Sequence, residues 1–351
     1  AKKNLGTRIT DAPFVIGVGP GFYAGKDCHC VIETKRGHTL GNVIWEKEAI
    51  PNTGVPGNIG GFTTERLIRA SADGIMEPVA EIGDTVEKGQ LVARTGKQPV
   101  YAKMSGIVRG MLQKDVQVTE GLKIGDIDAR CEPEHCVTIS DKARAVGGGV
   151  LEAVSLFGQI YGNYGVALLA AGEAKRFGSD KLSEKFQGIP LYRHALEKLE
   201  AFSGLSRVVV TAREALAEEA QRLGIHIVEN RQPEQGISHS VSLALQELLS
   251  QNPDLEGVLF LVCDQPGIQA ATIQKILNEG CLHKNSIVCA GYDGMRGNPV
   301  LWGSTYFQEL MHLTGDTGGR QLMKQYEEKI RIVECAPEEL KDIDRREDMT
   351  E

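Results

Sequence analysis

The feature that most constrains this chain is a run of short, wholly apolar segments alternating with helical patterns through its second half. Val166-Ala167-Leu168-Leu169-Ala170 is the first. Arg207-Val208-Val209-Val210-Thr211, Val258-Leu259-Phe260-Leu261-Val262-Cys263 and Ser286-Ile287-Val288-Cys289-Ala290 follow. A strand exposed on one face alternates apolar with polar, whereas a strand covered on both faces is apolar throughout. Helical periodicity fills the gaps, over 191–202, 212–223, 238–249 and 270–280. The pattern predicts an α/β domain over 165–351, with a mostly parallel sheet covered on both sides. Such sheets bind ligands beyond the carboxyl ends of their strands, so the residues following each strand are the candidates for function.

The first 164 residues read differently. Residues 1–70 are rich in Gly and Asn, as in Gly17-Val18-Gly19-Pro20-Gly21 and Asn58-Ile59-Gly60-Gly61. Residues 71–139 carry short alternating strands in a weak internal repeat, with Gly83-Asp84 to Gly89 answered by Val118 to Asp126. The repeat is similar to the barrel-sandwich fold of biotinyl and lipoyl domains. Those domains carry a modified Lys at a hairpin tip, where Thr95 falls here, with Lys97 two residues on. A scaffold or docking role fits that departure better than a swinging arm. Residues 140–164 read as a helix or linker.

Bulk properties narrow the classes. The net charge is −8, and no Lys/Arg run offers a phosphate-tracking surface, so no nucleic-acid partner is expected. No apolar run reaches the roughly 20 residues that cross a bilayer, and no signal pattern is visible, so a cytoplasmic protein without a membrane partner is expected. The chain opens on Ala1-Lys2-Lys3, which suggests a fragment or a processed product. Eight cysteines in such a chain read as reduced thiols. Cys28, Cys30, Cys131 and Cys136 can in principle supply four thiolates to a metal. Their C-x-C and C-x4-C spacings do not match structural zinc patterns, so scattered thiols are the better reading.

Past the first apolar strand comes Ala170-Ala171-Gly172, followed by Arg176 and Lys181. A glycine there admits close approach of a ligand, backbone N–H groups can hold phosphate oxygens, and the two cations add charge. Neither the dinucleotide fingerprint nor the P-loop pattern is present. Past the third strand stands Asp264, suited either to Mg²⁺ or to capping the next helix. Asp342 and Asp344 point the same way if extended, and one of them can join Asp264 on a metal; helix-capping acids before a solvated charge run are the alternative. Ser238 and Ser240 open a helix. Arg296 to Val300, with Asn298 and Pro299, read as a Gly-Pro turn before a short strand. Asp316 is a candidate N-cap beside Arg320, itself a candidate for an anionic substrate.

Taken in order, L-A-A-G-x-x-x-R-x-G-x-x-K-L, G-x-S-x-S, D-Q-P, G-N-P-V, G-D-x-G-x-R and D-I-D-x-x-x-D closely resemble the molybdenum cofactor cytidylyltransferases, over residues 165–350. The resemblance implies a MobA-like nucleotidyltransferase that moves CMP from CTP to Mo-molybdopterin. It implies nucleotide contacts at Leu169, Ala170, Ala171, Gly172, Ser238 and Ser240, and triphosphate contacts at Arg176 and Lys181. It implies Mg²⁺ on Asp264 and Asp344, and the pterin side at Asn298, Pro299, Asp316 and Arg320. Guanylyl relatives usually read L-A-G-G, so Ala171 favours cytosine. Ala174 and Phe177 replace a common Ser and Met. The motifs Gly19-Pro20-Gly21-Phe22, Glu33-Thr34 and Pro51-Asn52-Thr53-Gly54 resemble accessory proteins of selenium-dependent molybdenum hydroxylases, which implies a hydroxylase apoenzyme as a partner. Guanylyl or sugar-phosphate transfer and non-catalytic cofactor delivery are the alternatives.

Overall fold

The computed structural model describes residues 4–350 apart from 53–57, 59, 131, 173–176, 178–179 and 317. The chain divides into two compact units, one of residues 1–33, 41–50 and 148–351 and the other of 34–40 and 51–147. Residues 1–33 and 41–50 therefore group with the C-terminal sheet, where the sequence segmentation kept them with 51–70.

The first unit is built on a seven-stranded sheet. Its strands are β1 (Tyr164–Leu169), β2 (Ser206–Thr211), β3 (His226–Glu229), β4 (Gly257–Val262), β5 (Ile287–Tyr292), β6 (Met295–Gly303) and β7 (Ile330–Glu334). The spatial order is β3-β2-β1-β4-β6-β5-β7, and β6 alone runs antiparallel to its neighbours. The four apolar runs became β1, β2, β4 and β5 to within a residue or two. The segment read as a Gly-Pro turn at 296–300 is instead the first half of the nine-residue β6. The turn lies earlier, at Asp293-Gly294, where both residues take the positive φ that a tight hairpin needs.

The period-2 alternation of side chains sorts each strand between two cores. Val166, Leu168, Val209, Leu259, Leu261 and Val288 enter one; Ala167, Leu169, Val208, Val210, Val258 and Phe260 enter the other. The segment 140–164 holds helix α1 (Asp141–Ile160). Helices α2 (Leu191–Ala201), α3 (Glu214–Arg222) and α5 (Ala270–Leu282) cover the first face; α4 (Ile237–Gln251) covers the second, with α6 (Phe307–Met311) and α7 (Arg320–Gln325). In α4 the buried Val241, Ala244, Leu245 and Leu248 recur at helical spacing and form one stripe facing the sheet. Full burial of each Val or Leu in this stripe stabilises the fold by about 1.5–3 kcal/mol.

The N-terminal stretch of this unit contributes Ile16–Val18, parallel to Cys30–Ile32, with Val43–Ile44 beyond. His29 anchors it. Its Nδ1 accepts the Val15 N–H at 3.0 Å and its Nε2 meets the Ala201 carbonyl at 2.7 Å. Only the neutral ring protonated on Nε2 satisfies both partners. Cys28 is buried, which pushes its thiol up to about 11, and burial likewise raises Cys30. Burial therefore favours the thiol over the thiolate at both positions. Cys131 lies outside the described residues, and these contain no group of three or more His, Cys, Asp or Glu able to hold a metal.

The second unit consists of two four-stranded antiparallel sheets. One pairs Gln98–Tyr101, Leu91–Thr95, Gly74–Pro78 and Gln117–Val118; the other pairs Leu67–Arg69, Lys123–Asp128, Gly106–Met111 and Thr85–Val86. Ile68, Met76, Val92, Val108 and Ile127 fill the core between them. The repeat in the sequence is thus a repeat of β units, as the barrel-sandwich likeness requires. The hairpin tip, however, carries Gly96-Lys97 and not Thr95. Thr95 is buried, and its hydroxyl oxygen accepts the N–H groups of Ser71 and Ala72. No helix among the described residues is long and apolar enough to cross a membrane.

Candidate active site

Six of the seven strands point their carboxyl ends to one edge of the sheet, and antiparallel β6 brings its amino end there. A cleft of about 650 Å³ opens at that edge. Leu169, Ala170, Ala171 and Gly172 form one wall, Lys181 and Asp264 stand at its charged end, and Gly236, Ser240 and Asp316 face them. A Cβ built on Gly172 would meet no atom of the described residues within 4 Å, so among these residues the space beside it is open.

Lys181 sits in a single turn of 3-10 helix, with its side chain 11% exposed. Its Nζ donates to Asp264 Oδ2 at 2.9 Å and lies 3.7 Å from Asp344 Oδ1. Two carboxylates from distant parts of the chain thus converge on one cation. The Ile343 N–H, donating to the Asp264 carbonyl at 2.9 Å, holds the 342–344 segment against the end of β4. Asp264 does not cap the next helix: α5 starts six residues later, after Gln269. Ile343 is buried between its two acidic neighbours. Asp344 lines the first cleft, and Asp342 lines a second hollow of about 630 Å³. Burial raises the Asp342 pKa, and the charges of Asp264 and Asp344 add to this, against a hydrogen bond with Gln265. Burial and Asp264 also push the Cys263 thiol well up, and its side chain packs in the core.

The residues singled out from sequence divide between the two hollows. Asn298 and Arg320 line the second, beside Gln265 and Lys341. Asp316 lines the first, apart from its expected companions. Its Oδ1 accepts the Ile237 N–H at 3.4 Å, so it serves the start of α4; the residue before α7 is Gly319, which supplies no side-chain cap. Pro299 is buried within β6. Ser240 lines the first cleft. Ser238 does not; it is fully buried, and its hydroxyl has no hydrogen-bond partner among the described residues. Arg176 lies outside the described residues.

Two polar residues escaped the sequence reading. Asn230, at the end of β3, is fully buried; its Oδ1 accepts the Gln232 N–H at 2.9 Å and its Nδ2 donates to Ser240 Oγ at 3.0 Å. Arg213 follows β2 and reaches back to the glycine turn. Both obey the strand-end rule that found Asp264, but β3 is too short and too mixed in polarity to announce itself.

An acidic strand end thus faces a lysine beside the Ala170–Gly172 segment. By sequence, residues 166–330 match the model of the MobA-like NTP transferase domain. Residues 166–330 form a MobA-like NTP transferase domain. Among its relatives, PucB of Bacillus subtilis, a purine catabolism protein, is 28% identical over 168 residues, 44% of this chain and 78% of that protein. The "Probable molybdenum cofactor guanylyltransferase" of Thermococcus gammatolerans is 37% identical over 62 residues, 18% of this chain and 32% of that protein. The protein YqeB of Escherichia coli is 55% identical over 156 residues, which cover 44% of this chain but only 29% of YqeB. A nucleotidyl transferase from Methanothermobacter covers 53% of this chain and 93% of its own length, at 17% identity and a TM-score of 0.45. The transferase domain is joined in one chain to a unit built mainly of antiparallel strands.

Proposed function

We propose that the transferase domain moves CMP from CTP to the terminal phosphate of Mo-molybdopterin, giving molybdopterin cytosine dinucleotide and pyrophosphate, in the maturation of a molybdenum hydroxylase. The observation that carries the proposal is the convergence of Lys181, Asp264 and Asp344 beside an open glycine turn. The donor set fits Mg²⁺: two carboxylates that already gather around one cation leave further positions for phosphate oxygens and water. Asp264 and Asp344 would hold the ion, which when bound neutralises charge on the triphosphate. Lys181 turns its ammonium to the phosphoryl oxygens, and the backbone of Ala170–Gly172 cradles the nucleotide. The attacking phosphate is already anionic, so no side chain need remove a proton. Positioning and charge stabilisation supply the acceleration.

The two hollows suit two substrates. In this reading the first takes the nucleotide, and the second, with Asn298, Arg320 and Lys341, takes the pterin acceptor; Asp264-Gln265 and Asp342-Asp344 form the wall between them. Cytosine is favoured by the methyl of Ala171, which narrows the cleft where guanylyl relatives usually have glycine. The guanylyltransferase relative supports GTP as the second reading. Initial rates with CTP and GTP, with Mo-molybdopterin as acceptor and pyrophosphate release as readout, separate the two. CTP is expected to win, and Ala171→Gly to raise the rate with GTP. Asp264→Ala should abolish turnover while leaving the fold intact; activity retained with Mg²⁺ overturns the assignment.

A further inference from the structure

Arg213 stands between the end of β2 and the start of α3, its side chain 19% exposed. Its Nε donates to Asp180 Oδ1 at 2.7 Å, its Nη2 to the Gly172 carbonyl at 3.1 Å, and its Nη1 to the Ala170 carbonyl. Ala170 and Gly172 form the near flank of the segment 173–179, and Asp180 is its far flank. One guanidinium therefore ties both flanks together through three donors whose geometry is fixed by a planar group.

The consequences run in both directions. On the near side, holding the Ala170 carbonyl fixes the peptide plane behind it and with it the direction of the Ala171 N–H, in the wall of the cleft. On the far side, the second oxygen of Asp180 accepts the Ser183 hydroxyl at 2.6 Å, across the 3-10 turn that carries Lys181. Lys181 is then held where its Nζ meets Asp264. The glycine turn and the lysine are brought to one place by an arginine that does not line the cleft itself.

We propose that Arg213 is a positioning residue that clamps the two flanks of the nucleotide loop so that the Ala170–Gly172 turn and Lys181 meet the same triphosphate. The proposal rests on the nucleotide reading above. A clamp of this kind depends on the fork of donors and not on charge. Lysine at this position keeps the charge but cannot span three acceptors.

The test compares the full wild-type chain with Arg213→Met and Arg213→Lys, measuring calorimetric binding of CTP and GTP with Mg²⁺. Hydrogen exchange without nucleotide is followed alongside. The expected result is a nucleotide Kd raised about tenfold or more in both variants. Amide exchange should quicken over residues 169–183 and stay unchanged in the β4–β6 core. Where turnover is measured, the KM for nucleotide should rise while that for the acceptor holds. An unchanged Kd in Arg213→Met, or full affinity in Arg213→Lys, overturns the clamp while the nucleotide reading stands. A wild-type chain that binds neither nucleotide overturns both.

Discussion

The ammonium of Lys181 is the hinge of the site at the scale of single side chains, because the two carboxylates that face it come from positions 264 and 344. Lys181→Met should lower kcat by about 10²–10³, the usual loss when one charge-stabilising donor is removed. Steady-state kinetics beside a thermal melt will show whether turnover falls without loss of fold. Gly236 makes a different demand. It sits at φ +84°, and a Cβ there would come within 2.6 Å of the Gly315 carbonyl carbon. Gly236→Ala should therefore cost about 1–3 kcal/mol for the backbone conformation alone, because φ +84° with ψ −179° is a region that essentially only glycine occupies. It should also push the 315–316 loop from the cleft wall and weaken nucleotide binding. Urea unfolding and nucleotide titration of the same variant measure the two effects separately.

Helix α4 shows at the element scale how the scaffold keeps those side chains in place. Leu245 is fully buried on its sheet-facing stripe, so Leu245→Ala should cost about 2–5 kcal/mol. A lower urea midpoint with an unchanged slope would confirm a loss of packing and not of compactness. Elements of this sort were legible in the sequence, because a wholly apolar strand and a helical stripe each carry their own period. The strands missed were those without that signal. In β7, Arg331 and Glu334 interrupt the apolar run, and β3 opens on His226 and closes on Glu229. The turn before β6 falls at Asp293-Gly294, whose positive φ is a weaker sequence signal than the Gly297-Asn298-Pro299 run that follows it. The individual site residues at strand ends could be found by rule. Their division into two hollows could not, since it depends on the β4–β6–β5 order, which no local pattern encodes.

His29 links the N-terminal stretch to the sheet within the first unit. Burial holds its pKa below the ordinary 6.5, and its two hydrogen bonds require the neutral ring. The unfolded chain therefore takes up a proton at a higher pH than the folded one. The contribution of His29 is complete above pH 6.5 and declines as the pH falls through that value towards the folded one. Unfolding midpoints at about pH 7.5 and about pH 5.5 should differ accordingly, and His29→Gln should flatten that dependence. The sequence did not reveal this attachment, because strands of two or three residues are too short to show a period. The reversed direction of β6 has a further consequence. Its hairpin with β5 lies on the rim of the second hollow, where Tyr292 and Met295 stand, while the glycine turn and Lys181 belong to other connections. Residues added or removed at Asp293-Gly294 would reshape the mouth of one hollow and leave the strand ends around the other where they are. One surface loop can thus alter the second hollow while the walls of the first stay as they are.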